Sequence, residues 1–254
     1  MPDPLLIESD GPVRVLTMNR PDARNALSGE LIRALYAALV EADEDSEVRV
    51  VVLTGSDPAF CAGVDLKEAA RDGAAYFAQY DDTNCIGQVA LLDTPVIGAI
   101  NGATFTGGLE IALGCDFLVA SDRAVFADTH ARVGVLPGGG MTARLPHLVG
   151  WGNARRMSMT GEVVDAPRAL RMGLVTEVVP HDQLLPRATA LARSLAEVGP
   201  EVLGPLKQMY VQGWQAGLGA ALEVEASIAA AHGPDYDQLE RRRREVLIRN
   251  RSQL

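Results

Sequence analysis

The segment Asn101-Gly-Ala-Thr-Phe-Thr-Gly-Gly-Leu-Glu110 sets a carboxylate just inside a stretch that begins on two glycines. The apolar run Thr94-Pro-Val-Ile-Gly-Ala-Ile100 before it has the pattern of a short buried strand. Asn101-Gly102 breaks that strand, and Gly107-Gly108 opens an amphipathic helix from Leu109. The start of a helix leaves backbone N–H groups unpaired and carries partial positive charge. Glycine there lets a ligand oxygen come close to those donors. Helical side chains lean toward the N-terminus, so Glu110 points back at the same place. An oxyanion site and a proton-moving carboxylate can thus share one turn. A Gly-rich turn with a dipole-compensating glutamate has the same sequence, so the surrounding elements must decide.

Those elements alternate. Val13–Asn19 reads as a strand and Arg20–Asn25 as a loop. Ser28 is a candidate N-cap for a helix whose Leu31, Leu35, Leu39 and Ala42 make one buried stripe. Val48–Thr54 is β-branched and nearly continuous in apolar character, as a central parallel strand is. The loop Gly55–Gly63 follows it, and residues 68–93 read as helical but polar and weakly periodic. With strands at 95–100 and Phe117–Ala120, the order predicts an α/β layer architecture with parallel strands. Loops at the carboxyl ends of such strands gather into one crevice. The N–H groups of Val64 and Gly107 can then converge on one oxygen, the geometry that stabilises an enolate or tetrahedral oxyanion. Past residue 125, Gly134–Gly140 is a loop, Asp165-Ala-Pro167 starts a helix that Gly173 ends, and Leu174–Val179 is a late strand. Residues 181–198, 200–216 and 235–249 read as helices, and the run Arg241–Arg244 on the last as a solvated face.

A chain of 254 residues is long enough for one domain with an appendage. Its net charge of −10 argues against a nucleic-acid protein, and an anionic ligand would need a local basic patch. Cys61, Cys85 and Cys115 are odd in number and sit in apolar runs, which reads as reduced core thiols. The first residues have no basic n-region or apolar h-region, and no window approaches a membrane span, so a cytoplasmic protein is expected. Walker A, His-Glu-x-x-His, Cys-x-x-Cys and Gly-x-Ser-x-Gly signatures are missing, and no metal is expected.

Taken together, Phe60-Cys-Ala-Gly-Val-Asp-Leu-Lys67, Asn101 to Glu110 through Cys115-Asp116, and Gly134-Val-Leu-Pro-Gly-Gly-Gly140 resemble the crotonase superfamily of enoyl-CoA hydratases and isomerases. Asn19-Arg-Pro-x-x-x-Asn-Ala-Leu27, Arg144-Leu, Thr160-Gly and Gly173-Leu-Val175 fit the same pattern in the same order. The resemblance implies a crotonase-like spiral of ββα units over residues 1–195 and a C-terminal helical region for oligomerisation over 196–254. It implies a homotrimer, or a hexamer made of two trimers. The ligand would be an acyl-CoA, with coenzyme A as part of the thioester substrate and no separate cofactor. Its thioester oxygen would lie between the N–H groups of Val64 and Gly107, and Ala62, Asp65, Leu66, Lys67 and Arg24 would hold the CoA portion.

The match has a gap. Hydratases of the family flank a water with two glutamates; the first matches Glu110, and the second falls at His130, with Asp128 two residues before it. A histidine can act as acid or base near neutral pH. It does not simply replace a carboxylate, since neutral imidazole has one donor and one acceptor at fixed positions. The expectation is an enzyme that hydrates or isomerises an enoyl-CoA, with Glu110 as the main proton shuttle and hydration weak. Decarboxylation or thioester hydrolysis on the same scaffold, and a non-catalytic acyl-CoA binding protein, are the alternatives.

Overall fold

Val50, Val51, Val52 and Leu53 are fully buried, and the layers of the fold form on both sides of them. The computed structural model describes residues 3–200 and 202–211, with isolated positions 219, 223, 230, 241, 243, 244 and 248. Strands β1 (Leu5–Asp10) and β2 (Val13–Met18) form an antiparallel hairpin at one sheet edge. Helix α1 (Gly29–Glu44) follows, with Ser28 Oγ accepting the Leu31 N–H at 3.2 Å as N-cap. Its expected stripe of Leu31, Leu35, Leu39 and Ala42 is fully buried.

Three ββα repeats come next. The first is β3 (Val50–Gly55), β4 (Ala59–Cys61) and α2 (Leu66–Asp72), extended by α3 (Ala74–Asp82) and α4 (Cys85–Gln88). The second is β5 (Val96–Ile100), β6 (Ala103–Phe105) and α5 (Gly107–Gly114). The third is β7 (Phe117–Ser121), β8 (Val125–Ala127) and the single turn α6 (His130–Val133). Helices α7 (Met141–Val149) and α8 (Trp151–Thr160), strand β9 (Val164–Asp165), helix α9 (Ala166–Met172), strand β10 (Glu177–Val179) and helix α10 (Leu184–Ala196) follow. This is the crotonase-like α/β spiral that the motifs imply.

The first strand of each repeat enters a six-stranded sheet of order β1-β2-β3-β5-β7-β10, and the second enters a four-stranded sheet of order β4-β6-β8-β9. Strands β2, β3, β5, β7 and β10 pair in parallel. A strand covered on both faces needs no alternation. Val51 and Leu53 accordingly enter the main core, while Val50 and Val52 pack with Ile97 and Val119 against Leu184, Ala188 and Ala192 of α10. Strands β4 and β6 of the smaller sheet lie where the sequence reading had loops, and β8 lies where it assigned no element.

Helix α5 differs from its expected amphipathic form: all eight of its residues are buried. It packs against β4 and β6 and between α4 and α7, so no face meets water. Its start is pressed so closely on β4 that a Cβ at Gly108 would sit 2.1 Å from the Cys61 carbonyl oxygen. Asp165 caps α9 by accepting the Arg168 N–H at 2.8 Å, and Gly173 ends it with φ +80°. The three cysteines are free thiols, Cys61 and Cys85 buried and Cys115 half-buried, and burial pushes the Cys61 thiol up to about 12. Residues 202–211 are helical and tied to the core where Lys207 Nζ donates to Asp116 Oδ2 at 2.9 Å and to Thr94 O at 3.0 Å. The expected helix over 235–249, and most of the 196–254 region, lie outside the described residues. Among those described, no helix is long and apolar enough to cross a membrane.

Candidate active site

The loops after β4 and β6 meet as the strand–loop pattern predicts. Leu27 and Val64 form a parallel bridge, in which Leu27 N–H donates to Gly63 O at 2.8 Å and Asp65 N–H to Leu27 O at 3.3 Å. Both bonds flank Val64, which leaves its own N–H directed away from Leu27. Gly63 has φ +89°, and a Cβ there would lie 2.3 Å from Thr106 Oγ1 and 3.1 Å from Gly107 N. Only glycine fits this contact. Thr106 holds the other side at φ +48°, a conformation that β-branched residues rarely adopt. Its N–H donates to Ala127 O at 3.0 Å and its carbonyl accepts the Glu110 N–H at 3.0 Å. Gly107 is the first residue of α5, before any intrahelical acceptor becomes available.

Glu110 is buried. Its Oε1 accepts the N–H of Gly139 at 2.8 Å and of Met141 at 3.3 Å. The Gly134–Gly140 loop thus wraps onto the carboxylate, and Arg144 Nη1 holds that loop by donating to Gly139 O at 2.8 Å. The other oxygen, Oε2, lies 3.7 Å from His130 Nε2. His130, also buried, begins α6. Its Nδ1 lies 2.7 Å from Asp128 Oδ1, which also accepts the His130 N–H at 3.2 Å. Burial pushes the Asp128 carboxyl up, but the hydrogen bonds and charge of His130, with the Ser158 hydroxyl, outweigh it and hold the group below its ordinary value. Three ionisable side chains therefore form the line Asp128, His130, Glu110.

A cleft of about 390 Å³ opens beside His130, the member of this line that reaches its wall. Of the predicted site residues, Arg24, Ala62, Val64, Asp65, Leu66, Lys67 and His130 form part of its wall. Glu110 and Gly107 lie behind the wall, Glu110 beside His130 and Gly107 beside Thr106, which does face the cleft. Asp65 reaches the wall with its carboxylate already occupied: it caps α2 through the Lys67 and Glu68 N–H groups and accepts Arg20 Nη2 at 3.0 Å. Arg24 is in the left-handed region at φ +52°, and its carbonyl accepts the Ala62 N–H at 3.0 Å. The adjacent turn is locked by Asn25, whose Oδ1 accepts the Arg20 N–H and whose Nδ2 donates to Ser56 O and Ala59 O.

Sequence reasoning missed Arg20, Thr106 and Arg243 as wall residues. The run Arg241–Arg244 is not wholly a solvated face, since Arg243 lines the cleft. No local pattern announces a contact between residues so far apart in the chain. With Arg20, Arg24 and Lys67, Arg243 brings to the cleft wall, beside Asp22 and Asp65, the basic groups that an acidic chain needs for an anionic ligand.

Comparison with known proteins agrees with this architecture. A family model described as enoyl-CoA hydratase/isomerase matches residues 8–239. The short-chain-enoyl-CoA hydratase of Clostridium acetobutylicum is 35% identical over 225 residues, covering 87% of this chain and 86% of that protein. The crotonyl-CoA hydratase of Syntrophomonas wolfei is 32% identical over 242 residues, covering 93% and 92%. Among solved structures, an enoyl-CoA hydratase from Mycobacterium tuberculosis H37Rv superposes with a TM-score of 0.82 at 49% identity, covering 91% of this chain and 99% of that one. With the model spanning nearly the whole chain and relatives of this likeness along its length, the chain belongs to the enoyl-CoA hydratase/isomerase family of acyl-CoA-processing enzymes.

Proposed function

We propose that the protein hydrates a 2-enoyl-CoA thioester, using Glu110 as base and His130 as acid above an oxyanion hole made by the N–H groups of Val64 and Gly107. The observation that carries this reading is the approach of Glu110 Oε2 to His130 Nε2, 3.7 Å apart beside the cleft. One water oxygen about 2.8 Å from each group would complete a triangle with them. Glu110 takes a proton from that water as its oxygen bonds to carbon 3 of the enoyl group. Charge moves onto the thioester oxygen, where two backbone donors stabilise it. His130 then gives a proton to carbon 2, and the proton on Glu110 returns to His130 across the short gap. The balance is one water added and both side chains restored.

The two N–H donations to Oε1 favour the ionised form of Glu110, as a base requires. Arg24 and Lys67 on the wall suit the phosphates of CoA, while Ala62 and Leu66 give it apolar surface. A trimer or a hexamer of two trimers, and a cytoplasmic setting, complete the reading. Incubating the pure protein with a panel of enoyl-CoA thioesters and weighing the products tests it. Hydration adds the mass of one water, whereas isomerisation alone leaves the mass unchanged and would overturn it.

A further inference from the structure

We propose that Asp128 is the positioning residue of this site: its carboxylate holds the Nδ1 side of His130 and balances a protonated imidazole, so that the His130 imidazolium serves as the acid opposite Glu110. This rests on the reading of His130 and Glu110 just given. Its own foundation is the buried line of three groups. Asp128 is 1% exposed, Glu110 2% and His130 6%.

Charge balance in that line decides where the proton lies. With a neutral imidazole, two buried carboxylates would stand on either side of it at a net charge of −2. Carboxylates on both sides favour the charged form of the ring. The imidazole is the group placed to hold it, since one nitrogen faces each carboxylate, at 2.7 and 3.7 Å. The net charge then becomes −1, that of a pair of carboxyls sharing one proton. Asp128 is what makes a histidine equivalent to a carboxylic acid here. It also settles the ring orientation, because the bond to Nδ1 leaves Nε2 turned toward Glu110.

Arg144 of α7 gives its guanidinium to Gly139 O, and Arg132 of α6 gives its own to Thr160 O at 2.8 Å. The Ser158 hydroxyl of α8 bonds Asp128 and so supports its ionised form. Among the described residues, Asp128, Glu110, Arg132 and Arg144 are charged groups that any pH dependence of His130 must reckon with.

The proposal predicts a reversal between two substitutions. Asp128→Asn removes the balancing charge, so protonated His130 is lost at lower pH. The basic limb of kcat/KM for crotonyl-CoA hydration should move down by about 1–3 pH units. His130→Glu alone gathers three carboxylates in one buried cluster and should lie far below the wild type. Adding Asp128→Asn to it leaves two carboxyls, and activity should rise at least tenfold over His130→Glu. A basic limb unmoved in Asp128→Asn, or a double variant no better than His130→Glu, overturns the proposal. The wild type supplies a readout independent of turnover and of any variant's folding. The ring nitrogens of His130 should show an imidazolium by nitrogen NMR at about pH 8, well above the ordinary histidine midpoint of about 6.5. A neutral ring there overturns the charge pairing, whereas an imidazolium in a protein that hydrates no enoyl-CoA overturns only the proposed reaction.

Discussion

Gly139→Ala bears directly on the placement of Glu110. Gly139 is outside the left-handed region, so alanine meets no backbone strain. Its Cβ, however, would lie 2.7 Å from Glu110 Oε2 and 2.5 Å from Ile86 Cγ2. Ordinary contact begins near 3.4 Å, so the carboxylate must retreat by about 0.7 Å. That retreat changes a 3.7 Å approach to His130 on which two proton transfers depend. A misplacement near 1 Å costs roughly a hundredfold in rate, so kcat should fall about 30- to 100-fold. The cleft wall proposed to hold CoA is untouched, and KM should stay within about twofold. Crowding the core should also cost about 1–3 kcal/mol of stability. The control is Gly138→Ala, because a Cβ at Gly138 meets nothing within 4 Å. Steady-state kinetics on a short enoyl-CoA reads both variants. A Gly139→Ala enzyme within twofold of wild-type kcat would refute the claim that this loop places the base.

Four other expectations follow from the same geometry. Glu110→Gln should lower turnover by about two to four orders of magnitude while acyl-CoA affinity, read by calorimetry, barely changes. Arg24→Ala and Lys67→Ala should each raise KM for CoA thioesters by about tenfold and leave KM for pantetheine thioesters alone, since only the former carry the nucleotide phosphates. Lys207→Met leaves Asp116 without its ammonium partner and should cost about 1–3 kcal/mol in denaturant unfolding. The Asp128 carboxyl lies below its ordinary 3.8 in the folded state, so its contribution to stability is present above that value and lost as pH falls through the folded one. Unfolding measured between pH 5 and about 2 should show an acid limb that flattens in Asp128→Asn.

Long, continuous signals were legible without coordinates, and short or non-local ones were not. The Val50–Gly55 strand, the Leu31–Ala42 stripe and the Asp165 and Gly173 helix boundaries carry their own physics and stand where expected. Strands β4, β6 and β8 are three residues each, too short for alternation to register, so only the resemblance, through its ββα units, pointed to them. Helix α5 has an apolar majority with only Glu110 charged, which suits burial on every side better than an amphipathic face. At the site, Glu110 and the two glycine loops were named from pattern, and His130 from the family resemblance. That His130 Nδ1 folds back on Asp128 depends on the turn between them, and the capture of Glu110 by Gly139 spans 29 positions. The expectation of weak hydration rests on a histidine standing in place of a glutamate, and the contact with Asp128 bears on the charge that histidine can carry.

The most direct test of the account is the mass of the product formed from crotonyl-CoA in water enriched in heavy oxygen, with wild type and Glu110→Gln side by side. The account predicts a hydroxyacyl-CoA carrying one heavy oxygen on the acyl chain with the wild type, and almost none with Glu110→Gln. Unlabelled product of unchanged mass, or equal labelling by both proteins, would contradict it.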